Sequence, residues 1–183
     1  DGGFAGKLHI YELINPEKQD AAPRRVLVLP QLAARTSQLG TVFKVGANAE
    51  DDLTDGFAHF LEHNAFKGTE DEEGNQIYGA GDYDAVMEER YRTYINASTG
   101  KDKTQYIAVN IPASFTEEVI QAHAPFAQAF ALPQAGITGE QGTVIEEIRL
   151  YGDKLMPKLF SSLNRDAFGE HPNAKNVLGP ELN

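Results

Sequence analysis

The amino-acid sequence predicts an α+β fold, a mainly antiparallel sheet with helices packed on one face. Strand-period segments cluster before residue 48 and again between 92 and 112, joined by turn-rich connections. Helical segments follow each cluster instead of alternating with single strands. The 183 residues suffice for one domain over 1–183 with its own core.

"KLHIYEL" (7–13) alternates apolar and polar residues, as a half-buried strand does. "NPEKQDAAP" connects it to "RRVLVLP" (24–30), a second strand. "LGTVFKVGA" (39–47) is a third, closed by Gly46 and the polar run "NAEDD". A helix begins near Asp55, with Thr54 or Asp55 as its cap and Gly68 just past its end. "RTYINA" and "TQYIAVNIP" are two further strands, with "STGKD" as a hairpin turn between them. "SFTEEVIQAHAPFAQAFAL" (114–132) predicts a helix in which Ser114 and Glu117 have the spacing of a capping box. Pro125 kinks or divides it. Helices over 139–155 and about 158–168 complete the pattern.

Hydrophobic residues make up 41% and charged residues 23%, as in ordinary globular proteins. No apolar run approaches the roughly 18 residues a membrane span needs. There is no cysteine, so disulfides and thiolate metal sites are excluded. That absence fits a periplasmic or secreted protein, and it fits cytoplasmic and organellar ones as well. The opening "DGGFAG" has neither an initiator Met nor a signal-like core, as in a processed chain or a fragment. A net charge of −11 argues against nucleic acid as a partner, because phosphate binding needs clustered Lys and Arg. Residues 70–89 hold eight carboxylates and no Lys or Arg. They fit a solvated loop and helix face, or else an acidic wall that favours basic substrates.

The chemistry concentrates in "GFAHFLEHNAFKGT" (56–69). On a helical wheel of about 100° per residue, with His59 at zero, Glu62 falls at roughly −60° and His63 at roughly +40°. Phe57, Phe60 and Leu61 fall on the other side, facing a core. Two imidazoles four residues apart can reach one metal ion. A carboxylate beside them can take a proton from a metal-activated water. This is H-x-x-E-H, the inverted form of a zinc-peptidase motif. A catalytic zinc needs a third protein ligand. His9, His123 and His171 are isolated and fit structural or exposed roles. Glu140 and Glu147, seven residues apart, share one helical face, and Glu146 points elsewhere. One of the pair could ligate the metal while the other holds a ligand or water.

Three blocks, "GFAHFLEHNAFKGTE", "YINASTGKDKTQY" and "EQGTVIEEIRLYGD", resemble the signature blocks of the M16 zinc peptidases, in the family's order. That is the group of pitrilysin, insulin-degrading enzyme and mitochondrial processing peptidase. The resemblance covers about residues 7–183 and is tight only in the blocks. It implies an endopeptidase that binds one Zn2+ through His59, His63 and Glu147, with Glu62 as catalytic base and Glu140 as supporting acid. It implies that Asn96 and Ala97 bind the main chain of an extended peptide or unfolded segment as an added strand. Thr104 and Tyr106 match positions expected to support packing. Asn64 departs from a usual hydrophobic residue, Ser98 from a frequent aromatic, and the acidic segment looks expanded. These departures bear on specificity. Family members close a chamber from two similar halves. The resemblance therefore implies a partner half outside this chain, and a C-terminal portion that continues beyond it. The rival is a non-catalytic, peptide-binding or structural subunit, but such subunits typically lose motif residues that this chain keeps.

Overall fold

The computed structural model describes residues 6–13, 24–31, 33–71, 73–125, 132 and 134–179. The predicted connection at 15–23 lies outside them, as does most of 126–133. Packing divides the chain into two compact units, residues 1–35 and 36–183.

The first unit is a hairpin. Strands β1 (His9–Leu13) and β2 (Arg24–Val28) pair antiparallel, His9 opposite Val28 and Leu13 opposite Arg24. Both are exposed along their length, where alternation predicts one buried face. A two-stranded ribbon has no further layer of its own to cover a face.

The second unit is built on an antiparallel sheet of order β3-β7-β6. β3 spans Thr36–Phe43, β6 Tyr94–Thr99 and β7 Thr104–Pro112. The predicted third strand is thus displaced towards its N-terminus, and Val45 and Gly46 lie in the turn beyond it. A bulge separates Ser37, opposite Ile111, from Leu39, opposite Ala108. Asn110, at φ +60°, absorbs the extra residue, a conformation asparagine tolerates better than most. The two strands predicted around "STGKD" form as a hairpin, with Asn96 opposite Ile107 and Ala97 opposite Tyr106. Two short strands, β4 (Thr69–Glu70) and β5 (Gln76–Tyr78), make a separate ribbon in the acidic stretch.

The core joins one face of β7 to the helices. Tyr106, Ala108 and Ile111 pack with Tyr83, Met87 and Tyr91 from α2 (Asp82–Ala85) and the π turn after it, and with Val119 from α3 (Thr116–His123). Tyr106 and Thr104 are buried, the packing roles expected of them. α3 is shorter than the predicted 114–132 helix and ends ahead of Pro125. Ser114 does not cap it, because residues 113–115 form a preceding 3-10 turn. α4 (Gln134–Gly152) and α5 (Leu155–Phe168) each start earlier than predicted. None of the described helices is long and apolar enough to cross a membrane.

α1 (Phe57–Asn64) carries the histidines. Neither Thr54 nor Asp55 caps it. Its N-cap is Gly56, at φ +83°, and the cap is supplied by Glu50, whose carboxylate accepts from the amides of Gly56 (2.9 Å) and Ala58 (2.7 Å). A carboxylate beside the first turn suits the helix dipole. Thr54 is already engaged, since its hydroxyl donates to Asp51 and accepts from the Asp51 amide. The Glu50 segment is itself held, since Lys175 donates to the Glu50 carbonyl and Asn48 donates to Asn173 Oδ1 at 2.7 Å.

Candidate metal centre

The wheel set the phenylalanines of α1 towards a core and the histidines together on the other face. In the structure Phe57 is exposed and stacks on Phe60, while His59 is only 5% accessible. The reason is the neighbours: the histidine face lies between α4 and β6, so it is the inner face. Asn64, on the same helix, is fully buried and donates its side-chain amide to the Phe60 carbonyl at 2.8 Å. That bond lets an amide occupy a position where a hydrophobic residue is expected.

Two turns of α4 present Glu140 and Glu147 to α1, as their spacing predicts. His59 Nε2 and His63 Nε2 are 3.3 Å apart. Glu147 Oε2 lies 3.6 Å from the first and 3.2 Å from the second. An ion held tetrahedrally by bonds of about 2.0–2.1 Å sets its ligand atoms about 3.3–3.4 Å apart. The three separations match that edge length, and two imidazoles and a carboxylate are donors zinc accepts. The residues present therefore fit the ion.

The centre is braced unevenly. His63 Nδ1 donates to Glu140 Oε2 at 3.2 Å, which leaves Nε2 with a free lone pair towards Glu147. Lys67 Nζ pairs with the other oxygen of Glu140 at 2.8 Å. Burial raises the cost of charge on Glu140, but the bonds from Lys67 and His63 outweigh it and hold its carboxyl below the usual range. His59 Nδ1 is buried without a hydrogen-bond partner among the described residues. Burial, and next the neighbouring His63, push the His59 imidazole below its ordinary pKa, so it is neutral, the form a metal takes. Glu146 is exposed and bonds Arg149 at 2.5 Å, away from the centre.

Glu62 and His63 line a cleft of about 300 Å3 together with Asp84, Glu88, Asn96 and Ala97. Asn96 and Ala97 sit on β6, which has no strand partner on its outer edge among the described residues. The Asn96 side chain is exposed and accepts from the Ala97 amide at 2.9 Å. Asp84 is pushed up by burial and then by Glu88. Other acids of the 70–89 stretch have local work. Asp71 accepts from the amides of Glu73 and Asn75, and Asp82 from that of Gly79. Two of the acids thus build turns and two line the cleft.

Two contacts escape sequence reasoning. Lys67 lies four residues beyond His63, so the i, i+4 spacing was visible, but its partner was not. Thr99 donates to Glu62 Oε2 at 2.5 Å, and no spacing links residues 37 apart.

An antiparallel sheet backed by helices thus brings the H-x-x-E-H helix against a glutamate from a second helix, a group that could hold a metal ion. Residues 25–181 match the family model described as "Insulinase (Peptidase family M16)", and the chain belongs to that family. It is 31% identical over 153 residues to a mitochondrial-processing peptidase subunit beta of Lentinula edodes, covering 82% of this chain and 30% of that protein. It is 28% identical over 141 residues to an uncharacterized zinc protease of Rickettsia bellii, covering 77% of this chain and 32% of that protein. The fold also matches the crystal structure of a protease from Helicobacter pylori, with a TM-score of 0.82 at 24% identity, covering 96% of this chain and 39% of that one. The chain spans about a third of the length of the curated relatives it matches.

Proposed function

We propose that residues 1–183 are the catalytic half of a zinc endopeptidase that hydrolyses extended peptides or unfolded segments. The observation that carries this reading is the triangle of His59, His63 and Glu147, whose donor atoms stand 3.2–3.6 Å apart. These three residues hold one Zn2+, and Glu140 holds His63 in the tautomer that ligates. When bound, the ion lowers the pKa of its water towards 7 and polarises the scissile carbonyl. Glu62 takes the proton from the attacking water and delivers it to the departing amine, so it ends each cycle ionised. Membership of a peptidase family and a relative named as a zinc protease support this reading.

The substrate pairs along the open edge of β6 at Asn96 and Ala97, which brings its main chain into the cleft beside Glu62 and His63. A second, similar half closes the chamber. The word "subunit" in several of the chain's relatives' names supports that partner. Glu62→Gln keeps the side chain's size and removes its basicity. It should leave zinc content unchanged and lower peptide cleavage by the complete assembly at least about a hundredfold. Undiminished cleavage would remove Glu62 from the mechanism. A zinc-free wild-type chain would favour the non-catalytic subunit instead.

A further inference from the structure

We infer that Thr99 is a positioning residue for Glu62, assigning one carboxylate oxygen to the fold and leaving the other for proton transfer. This rests on the peptidase reading above. Thr99 is the last residue of β6, and its hydroxyl stands 2.5 Å from Glu62 Oε2. The direction of that bond is determined by its surroundings. Thr99 pairs across the sheet with Thr104, whose hydroxyl lies 3.4 Å away. Thr104 spends its single proton on the Val45 carbonyl at 2.9 Å. An ionised carboxylate can only accept, so the Thr99 proton goes to Glu62.

The threonine is well suited to such a task. Its β-branched side chain is stiff about χ1, and a strand paired to β7 holds its backbone. α1 and β6 meet here, so the hydroxyl ties the two elements that flank the cleft. With Oε2 held, rotation of the carboxylate is blocked. Oε1 is then the oxygen that receives the proton from water and returns it to the amine nitrogen. One proton arrives and one leaves, and no co-reactant beyond water is needed. Thr99 is not among the residues that line the cleft, nor is it one of the three candidate metal-binding residues.

The test compares the wild type with Thr99→Val and Thr99→Ser. In the complete assembly, Thr99→Val should lower kcat about tenfold, the usual worth of a bond to a charged group, and leave KM within about twofold. Thr99→Ser, which keeps the hydroxyl, should recover most of the loss. Zinc content should be the same in all three. The metal-free chain supplies a readout independent of cleavage. Thr99→Val should shift its urea midpoint downward, and the shift should vanish in a Glu62→Ala background. An unchanged kcat in Thr99→Val, an equal loss in Thr99→Ser, or a midpoint shift that persists without Glu62 would each overturn the assignment. If the wild-type assembly cleaves nothing, the peptidase reading falls, and the unfolding cycle still decides whether Thr99 and Glu62 act together.

Discussion

His123 is a buried histidine that the metal centre does not use. Its two ring nitrogens meet the hydroxyls of Thr41 (2.8 Å) and Tyr83 (2.6 Å). Burial pushes its pKa down to about 4 from an ordinary 6.5. As pH falls below 6.5, the unfolded chain binds a proton that the folded chain refuses, so stability declines until about pH 4. The loss is on the order of 3 kcal/mol when complete. Chemical denaturation at pH 7.5, 5.5 and 4.5 should show that decline. His123→Gln should start less stable, having lost shape and bonds, and should depend less on pH over the same range. At this scale the sequence was informative about type. An isolated histidine pointed to a structural role, and a histidine pair with its glutamate pointed to a metal. It could not show which hydroxyls would meet His123, since Thr41 lies 82 residues away.

At the scale of elements, the position of α1 decides the geometry of the centre. The helix has only eight residues, too few to persist alone, so its ends and neighbours must hold it. Glu50 supplies the N-terminal end. Glu50→Ala removes two hydrogen bonds to first-turn amides and should cost about 1–2 kcal/mol. That corresponds to roughly 2–8 °C in the thermal midpoint, measurable by circular dichroism. Under the proposed function zinc affinity should fall with it, because His59 sits in the first turn that Glu50 caps. Periodicity found the helix, its approximate bounds and the shared face of Glu140 and Glu147. It misplaced Phe57, which is exposed, and did not foresee that His59 is buried. A wheel sorts residues by hydrophobicity, whereas here α4 and β6 cover the ionisable side. It also chose local caps over Glu50, a choice made by the turn at 47–50 that folds back over the helix start.

For the whole molecule, the net charge of −11 and the acids of the cleft bear on the substrate. Asp84 and Glu88 share the cleft with Glu62 and Asn96, whereas Asp71 and Asp82 build turns. The acidic stretch therefore contributes part of its charge where a substrate would pass. Under the proposed activity, basic peptides should be cut faster than neutral ones at low salt. That advantage should shrink several-fold between roughly 20 and 500 mM salt, as the Debye length falls. A preference indifferent to salt would return the stretch to a solvated face.

The sequence by itself determined the α+β class, the main strand pair around residues 98–102, the H-x-x-E-H helix and the two glutamates one helical face apart. Each depends on side-chain type and local period, which are properties of neighbours in the chain. Tertiary structure alone decided that His59 is buried, that Glu50 caps α1, that Lys67 pairs with Glu140 and that Thr99 bonds Glu62. Those contacts join segments tens of residues apart, and their distances are set by how helices and sheet pack. The three donors meet only because α4 lays Glu147 across His59 and His63.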